Sequence, residues 1–344
     1  MLLGIEIGGT KLQLGVGRGD GTLVAVERYE VRPNEGAEGI LAQIEAAARV
    51  LIARHGISAI GIGFGGPVTS GKVVTSHQVA GWENFALVDW CRRVFMLPAV
   101  LENDCDAAGL AEARHGAGRG RKVVFYVTVG TGIGGGLVVD DAIYRASGHG
   151  AAEIGHLRPG LHADRPDQTV ESLASGWGIA VAAQARLSDP ISHAFVPLTS
   201  GLRGANPDDV RQRLIETEEA EAEYAADLWD RCGARLDTLT AQMVSQAAGE
   251  GNEIAREVLS HACQALGWAI AQTITLVAPE VVVVGGGVSS MDESLFLVPL
   301  RLEVDRYVFG PLAGKFRLVP AELGDEVVVH GALAAAAEKH AAGK

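Results

Sequence analysis

Residues 2–16 read LLGIEIGGTKLQLGV, and this stretch decides the fold. Its apolar ends predict two strands, over Leu2–Ile7 and Lys11–Val16, and Gly8-Gly9-Thr10 between them predicts a tight turn. The unit is therefore a β-hairpin whose tip is rich in exposed backbone. Glycine in such a tip lets the backbone come close to a bound molecule.

The same unit recurs in the middle of the chain. A strand is predicted over Val123–Val129, residues 130–136 read GTGIGGG, and a further strand is predicted over Leu137–Asp140. A hairpin of this kind at the head of each half predicts an α/β protein with two similar domains. It does not match a short-period repeat array.

The division that follows places a small domain at residues 1–117 and a large domain at 118–328. The apolar, Ala-rich C-terminal segment, 329–344, is expected to be a helix that joins the small domain. Residues 187–236 are punctuated by proline and asparagine and then become acidic. They predict a solvated helical insertion in the large domain, and a binding role for them is the less favoured alternative.

Composition limits the possible functions. The 344 residues carry a net charge of −13, which argues against a nucleic-acid surface, because such surfaces are basic. The four cysteines show no metal-site or disulfide spacing, so they predict reduced thiols. The N-terminus lacks the basic and cleavage features of a secretory leader, and the uncharged run at 262–279 predicts a buried helix and no membrane span. We therefore expect a cytoplasmic protein.

Three glycine clusters each follow an apolar strand, at Gly8, at Gly130 and at Gly285. Backbone N–H groups in such turns can converge on phosphate oxygens without basic side chains, and a divalent cation would screen the remaining charge. Residues 130–135 match the letters of the dinucleotide fingerprint. A strand follows them where that fingerprint requires a helix, and no P-loop motif occurs in the chain.

Two groups of polar residues follow these patterns. Asn103-Asp104 stand directly after a predicted strand, where active sites of open α/β sheets form, but Asp104 is equally suited to cap the helix predicted from Ala107. Glu153 and His156, with Glu171 further on, lie among glycines and could bind several hydroxyl groups of a sugar. His156 alone would more often be a structural residue.

Together these segments resemble the ROK family of sugar kinases and repressors, which belongs to the actin-like ATPase superfamily. The resemblance covers nearly the whole chain except the insertion. The matching segments are, in chain order, residues 4–11, 61–68, 102–108, 127–136, 153–156, 171–176 and 279–287.

The resemblance implies an actin-like (ribonuclease H-like) fold with ATP bound in a cleft between the two domains. Mg²⁺ would bridge the ATP oxygens, and Glu6, where many members carry Asp, would hold its water shell. The residues that would bind the nucleotide are Glu6, Gly8, Gly9, Thr10, Lys11, Gly130, Thr131, Gly132, Gly134, Gly285, Gly286 and Gly287.

It further implies transfer of the γ-phosphoryl group of ATP to a hexose or N-acetylhexosamine hydroxyl, with Asp104 as the general base. The residues that would bind the sugar are Gly65, Gly66, Asn103, Asp104, Glu153, His156 and Glu171. Two alternatives stay open: a sugar-sensing member that does not bind DNA, and a kinase of an unusual acceptor. The family also implies a homodimer or a tetramer.

Two departures from the family pattern are visible. The cysteine cluster that often holds zinc is absent, and His156, His162 and Asp164 are weak candidates to replace it. We expect no structural zinc, and we expect Arg158 and Pro159 to brace this loop. The loop at 75–78 does not match the glucose-specific pattern, so the identity of the sugar stays open.

Overall fold

Two five-stranded sheets organise the chain. The computed structural model describes residues 1–76, 78–145, 151–160, 165–188 and 207–342. The first part of the chain forms β1 (Leu2–Ile7), β2 (Lys11–Gly17), β3 (Leu23–Glu30), α1 (Gly36–His55), β4 (Ala59–Phe64), β5 (Val68–Thr69), β6 (Lys72–Val73), α2 (Leu87–Phe95), β7 (Ala99–Asn103) and α3 (Asp104–His115).

The second part carries most of the helices. It forms β8 (Val123–Val129), β9 (Ile133–Val139), β10 (Ala142–Ile143), α4 (Val170–Ala174), α5 (Gly176–Ser188), α6 (Pro207–Arg231), α7 (Ala241–Gly249), α8 (Glu253–Val277), β11 (Val281–Gly285), α9 (Leu297–Tyr307), β12 (Arg317–Pro320) and α10 (Val327–Ala342).

The two sheets repeat one topology. The first has the order β3-β2-β1-β4-β7 and the second the order β10-β9-β8-β11-β12. In each sheet the first three strands are antiparallel and the last two are parallel additions to the central strand. Every residue of β1, β4 and β11 is buried, as expected for apolar strands covered on both faces. The predicted pair of similar α/β halves is confirmed.

The C-terminal helix α10 packs on the N-terminal sheet. It contacts β1, β4 and α3, and glycines at these contacts allow very close approach. A Cβ atom at Gly61 would lie 1.8 Å from the carbonyl oxygen of Ala332, and one at Gly331 would lie 1.8 Å from that of Ala107. The C-terminal helix thus covers strands that the first part of the chain supplies.

Part of the predicted insertion is a well-packed helix. Glu219 and Glu223 of α6 are exposed, in agreement with a solvated acidic face. The opposite face is not solvated: Leu228 is fully buried in the core of the large domain. The buried Arg186 guanidinium of α5 contacts the Glu221 carboxylate at 3.2 Å. Helix α6 therefore has the exposed acidic face expected of a solvated helical insertion, and it also has a buried apolar face that the sequence analysis did not predict. Residues 189–206 lie outside the described part.

The uncharged run at 262–279 lies in α8 up to Val277, and the apolar side chains of this helix are mostly buried in the large-domain core, as predicted. Among the residues that the structure describes, none of the helices has the length and apolar character needed to cross a membrane.

Candidate active site

A cleft of about 1180 Å³ lies between the two sheets, and both glycine-tipped hairpins open into it. The structure brings most of the residues predicted from the sequence to its walls. These are Glu6, Gly8, Gly9, Thr10, Lys11, Gly65, Gly66, Asn103, Asp104, Gly130, Thr131, Gly132, Gly134, Glu153, His156, Glu171 and Gly287.

Gly285 and Gly286 are not among the residues that line the cleft. A Cβ atom at Gly285 would lie 2.4 Å from the Tyr126 hydroxyl oxygen, so this position must be free of a side chain for the Tyr126 ring to pack. Gly286 has a φ of +91° and lies against the backbone of Val129. Both glycines therefore serve the packing behind the cleft wall, and only Gly287 of the three reaches the cleft.

The structure of the β7–α3 junction shows which of the residues Asn103 and Asp104 caps the helix and which is open to the cleft. Asn103 is the helix N-cap: its Oδ1 accepts hydrogen bonds from the backbone N–H groups of Cys105 at 2.8 Å and Asp106 at 3.2 Å. Its Nδ2 donates to the carbonyl oxygen of Gly66 at 3.1 Å. Because Asn103 provides the cap, α3 begins at Asp104 and not at Ala107, and the Asp104 carboxylate faces the cleft.

Burial raises the pKa of Asp104 to about 6, and the nearby charge of Glu153 acts in the same direction. One carboxylate oxygen, Oδ1, accepts a hydrogen bond from the Cys105 N–H at 2.9 Å, which limits the shift. The other oxygen lies near Gly65, where an added Cβ atom would be 3.4 Å away. A carboxylate with a pKa close to neutral, open to a cleft, is suited to accept a proton.

A second carboxylate, that of Glu6, lies at the cleft end of β1. Its Oε1 pairs with the Lys11 ammonium at 3.0 Å, and Lys11 Nζ also donates to the Asp325 carbonyl oxygen at 3.1 Å. The other oxygen, Oε2, is buried without a hydrogen-bond partner among the described residues. Burial raises the pKa of Glu6 to about 7. An unpartnered carboxylate oxygen in the cleft fits a hydrated Mg²⁺, which prefers oxygen ligands.

A backbone hydrogen bond closes each hairpin tip, spanning three residues in the first tip and two in the second. The Gly8 N–H donates to the Lys11 carbonyl oxygen at 2.9 Å, and the Gly130 N–H donates to the Gly132 carbonyl oxygen at 2.9 Å. The second tip is also attached to α5, because the Gly176 N–H donates to the Gly130 carbonyl oxygen at 2.8 Å. The cleft thus has one glycine turn on each side.

Glu171 connects the expected sugar side of the cleft to the second turn. Its Oε2 accepts a hydrogen bond from the Ile133 N–H at 2.9 Å, and a Cβ atom at Gly132 would lie only 2.6 Å from that oxygen. Glu153 and His156 also line the cleft, and both side chains are exposed. The three residues predicted to bind hydroxyl groups therefore lie on one wall.

The loop after His156 is braced as predicted, because the Arg158 Nε donates to the Pro166 carbonyl oxygen at 3.0 Å. Of the three weak zinc candidates, only His156 is described; His162 and Asp164 lie outside the described residues. Within the described ranges, no three His, Cys, Asp or Glu side chains are grouped as a metal site. All four cysteines are free and buried.

Sequence reasoning missed several cleft residues. The Gln78 side chain lies against the first turn, where a Cβ atom at Gly9 would overlap its amide oxygen. Trp177, Gln242 and Gln246 line the cleft from α5 and α7. The loop at 75–78 was noted in the sequence only for its departure from the glucose-specific pattern, and none of these four residues was assigned to the cleft. Long-range folding brings them there.

Comparison with known proteins identifies the family. The model described as "ROK family" matches residues 2–339, so the chain belongs to the ROK family. It is 29% identical over 343 residues to the glucokinase of Halalkalibacterium halodurans, covering 96% of this chain and 92% of that protein. It is 24% identical over 340 residues to the xylose repressor of Caldicellulosiruptor bescii, covering 97% of this chain and 77% of that protein.

Among solved structures, the chain is similar to a ROK family glucokinase from Streptomyces griseus in complex with glucose and AMPPNP. The TM-score is 0.77 with 29% identity, and the match covers 98% of this chain and 99% of that one. The fold is therefore the two-domain actin-like ATPase fold expected from the sequence.

Proposed function

We propose that this protein is an ATP-dependent sugar kinase that transfers the γ-phosphoryl group to a hydroxyl of a hexose or N-acetylhexosamine. The observation that carries the proposal is the position of the Asp104 carboxylate. It lies in a cleft that has a glycine turn on each side. The similar glucokinase structure, which holds glucose and AMPPNP, supports the same function.

The mechanism assigns one task to each group of residues. The Gly8–Thr10 and Gly130–Gly132 turns would direct backbone N–H groups at the phosphates, and Lys11 would add a positive charge beside them. Asn103, Glu153, His156 and Glu171 would bind the sugar hydroxyls. The sugar hydroxyl oxygen would form a bond to the γ-phosphorus of ATP while the bond between that phosphorus and the ADP oxygen breaks. Asp104 would accept the proton that the hydroxyl loses.

A divalent cation, Mg²⁺, would neutralise the charge on the phosphate oxygens. Glu6 would hold its water shell, because its Oε2 is buried and lacks a partner. We propose that structural zinc is not required, since no cysteine lies near His156 in the sequence. Elemental analysis of the purified protein tests this; zinc at one equivalent per chain would contradict it.

The second candidate is a sugar-sensing protein without turnover, which the match to the xylose repressor favours. The position of the Asp104 carboxylate in the cleft, together with a pKa that burial raises to about 6, favours the enzyme, because this arrangement suits a group that accepts a proton. We place the protein in the cytoplasm as a homodimer or tetramer. Light scattering on the eluting protein measures the oligomeric state.

The decisive experiment measures ADP release from Mg-ATP across a panel of hexoses, hexosamines and N-acetylhexosamines. The variant Asp104→Asn is assayed beside the wild type, because it keeps the shape of the side chain and removes the base. Turnover with one class of sugar that is lost in the variant supports the kinase. A folded wild-type protein that binds ATP and turns over no sugar contradicts it.

A further inference from the structure

The side chain of Glu112 is fully buried at the end of α3 that is remote from the cleft. Its Oε2 accepts a hydrogen bond from the Ala117 N–H at 2.8 Å. Its Oε1 accepts two more, from the N–H groups of Glu322 at 3.0 Å and Leu323 at 2.9 Å. The three donors belong to two segments of chain more than two hundred residues apart.

These segments are the two crossovers between the sheets. Residues 116–122 lead from α3 to β8, and residues 321–326 lead from β12 to α10. A single carboxylate therefore joins both connections between the N-terminal sheet and the C-terminal sheet. We call this arrangement of Glu112 with Ala117, Glu322 and Leu323 the crossover clasp.

The local packing brings the first crossover very close to the Glu112 side chain. A Cβ atom at Gly116 would lie 2.1 Å from Glu112 Oε2, so the first crossover can approach only where there is no side chain. The Gly118 N–H donates to the Glu112 backbone carbonyl at 3.0 Å, which ties the same crossover to the helix a second time. Burial of a carboxylate is costly unless hydrogen bonds compensate it. Burial raises the pKa of Glu112, and the three backbone N–H groups act in the opposite direction and offset part of this cost.

The opposite end of the same helix carries Asp104. Eight residues separate Asp104 from Glu112, which corresponds to about 12 Å along the helix axis. α3 packs against strands of both sheets, including β8 and β9 of the second. Any rotation of one sheet relative to the other must bend the two crossovers, and the crossover clasp fixes both of them at one point of this helix.

We propose that Glu112 is a positioning residue for the phosphoryl transfer: the crossover clasp makes the end of α3 the pivot about which the cleft closes. Glu112 acts through α3 and sets where Asp104 lies when the two glycine turns approach each other. The inference rests on the proposed kinase function, because cleft closure would affect the reaction rate only if the cleft catalyses phosphoryl transfer.

The test compares Glu112→Gln with a matched control, Glu280→Gln. Glutamine has the size of glutamate, but only one of its two terminal atoms can accept a hydrogen bond. The variant therefore loses the hydrogen bonds to one of the two crossovers. Glu280 Oε2 accepts a hydrogen bond from the Lys122 N–H at 2.5 Å, which involves the first crossover alone. We expect Glu112→Gln to lower kcat/KM for the sugar by roughly 10- to 100-fold, with changes in both kcat and KM. We expect Glu280→Gln to stay within about twofold of the wild type.

Hydrogen exchange measures how strongly the amides of the crossover clasp are protected, and this measurement does not depend on activity. The amides of Ala117, Glu322 and Leu323 should exchange slowly in the wild type and faster in Glu112→Gln. If Glu112→Gln does not fold, the wild type alone tests the pivot: sugar should protect the glycine turns while the three clasp amides keep their protection.

Three results would overturn the inference: wild-type kinetic constants in Glu112→Gln, unchanged exchange in that variant, or loss of clasp protection when sugar binds. A wild-type protein that shows slow exchange at the clasp but no sugar-dependent turnover would instead contradict the kinase. The two failures are therefore distinguishable.

Discussion

The carboxylate of Glu171 accepts a hydrogen bond from the Ile133 backbone N–H at 2.9 Å, so a side chain of α4 holds the end of the glycine turn between β8 and β9. One oxygen of Glu171 is used by the turn, and the other is available to a ligand in the cleft. Sugar binding and phosphate binding would therefore share one residue, which leads to the first prediction.

Glu171→Ala should raise KM for both the sugar and ATP by roughly tenfold or more, because a hydrogen bond to a charged group contributes about 1.5–3 kcal/mol. Glu171→Gln keeps an acceptor oxygen for Ile133, so it should raise KM for the sugar and leave KM for ATP close to that of the wild type. Steady-state kinetics with each substrate varied in turn measures this. An alanine variant that affects only the sugar would show that the turn does not depend on Glu171.

The pKa of Asp104 predicts the acid limb of the pH profile. Because burial raises this pKa to about 6, the base is ionised above pH 6 and protonated below it. In the wild type, kcat/KM for the sugar should therefore fall about tenfold per pH unit below an apparent pKa near 6. The residual activity of Asp104→Asn should lack this limb. A wild-type profile that is flat between pH 5 and pH 7 would exclude Asp104 as the base.

The same shift predicts that Asp104→Asn is more stable than the wild type at neutral pH. The native pKa of about 6 lies above the ordinary aspartate value of 3.8, so folding favours the protonated form. Stability from this group is present below pH 3.8 and is lost as the pH rises to about 6. Asparagine does not ionise, so the variant should gain about 1–3 kcal/mol over the wild type above pH 6. Thermal unfolding at pH 4 and pH 8 tests this, and a gap between the two proteins that does not widen with pH would contradict it.

Glu6 predicts a pH-dependent requirement for Mg²⁺. Its pKa is raised to about 7, so cation binding in the free enzyme must displace a proton from a large fraction of molecules at pH 6. The Mg²⁺ concentration for half-maximal activity should therefore fall between pH 6 and pH 8. Glu6→Gln should need about tenfold more Mg²⁺ and lose this dependence, whereas Glu6→Asp should keep both the charge and the dependence. Equal Mg²⁺ titrations for Glu6→Gln and the wild type would remove Glu6 from the cation site.

Gly331 predicts a steric limit at the contact between α10 and α3. Alanine at a helical position is favoured over glycine by about 1 kcal/mol, but the added Cβ atom of Gly331→Ala would lie 1.8 Å from the Ala107 carbonyl oxygen. The variant should lose about 3 kcal/mol or more of unfolding free energy. Gly249→Ala is the control, since its Cβ atom would make an ordinary contact at 3.7 Å with Leu295. Urea unfolding that ranks the two variants equally would refute the steric account.

The sequence predicted the features that depend on neighbouring residues. The two hairpins, their glycine tips and the Asn103-Asp104 pair after β7 are local patterns, and the structure places all of them at the cleft. The competition between a cap and a free carboxylate could not be resolved from spacing. Both side chains accept a hydrogen bond from the Cys105 N–H, but only Asn103 also accepts one from the Asp106 N–H and forms the N-cap.

The features that the sequence did not predict depend on distant partners. Glu112 looks like any acidic residue in an Ala-rich helix, because two of its three donors lie 210 and 211 positions further along the chain. Gln78 and Trp177 reach the cleft from the loop at 75–78 and from α5, and the sequence assigned neither of them a binding role. Gly285 and Gly286 carry a glycine signal, but that signal does not distinguish a binding turn from tight packing against Tyr126 and Val129.

The packing of α10 on β1 and β4 has a consequence for how the protein is made. The N-terminal sheet is synthesised first, yet the helix that covers it at Gly61 comes from residues 327–342. At roughly 5–20 residues per second, a ribosome needs on the order of 15–60 s to reach that helix. During that interval the face of β1 and β4 lacks its native cover. The N-terminal sheet can therefore complete its native core only after residues 327–342 have been synthesised.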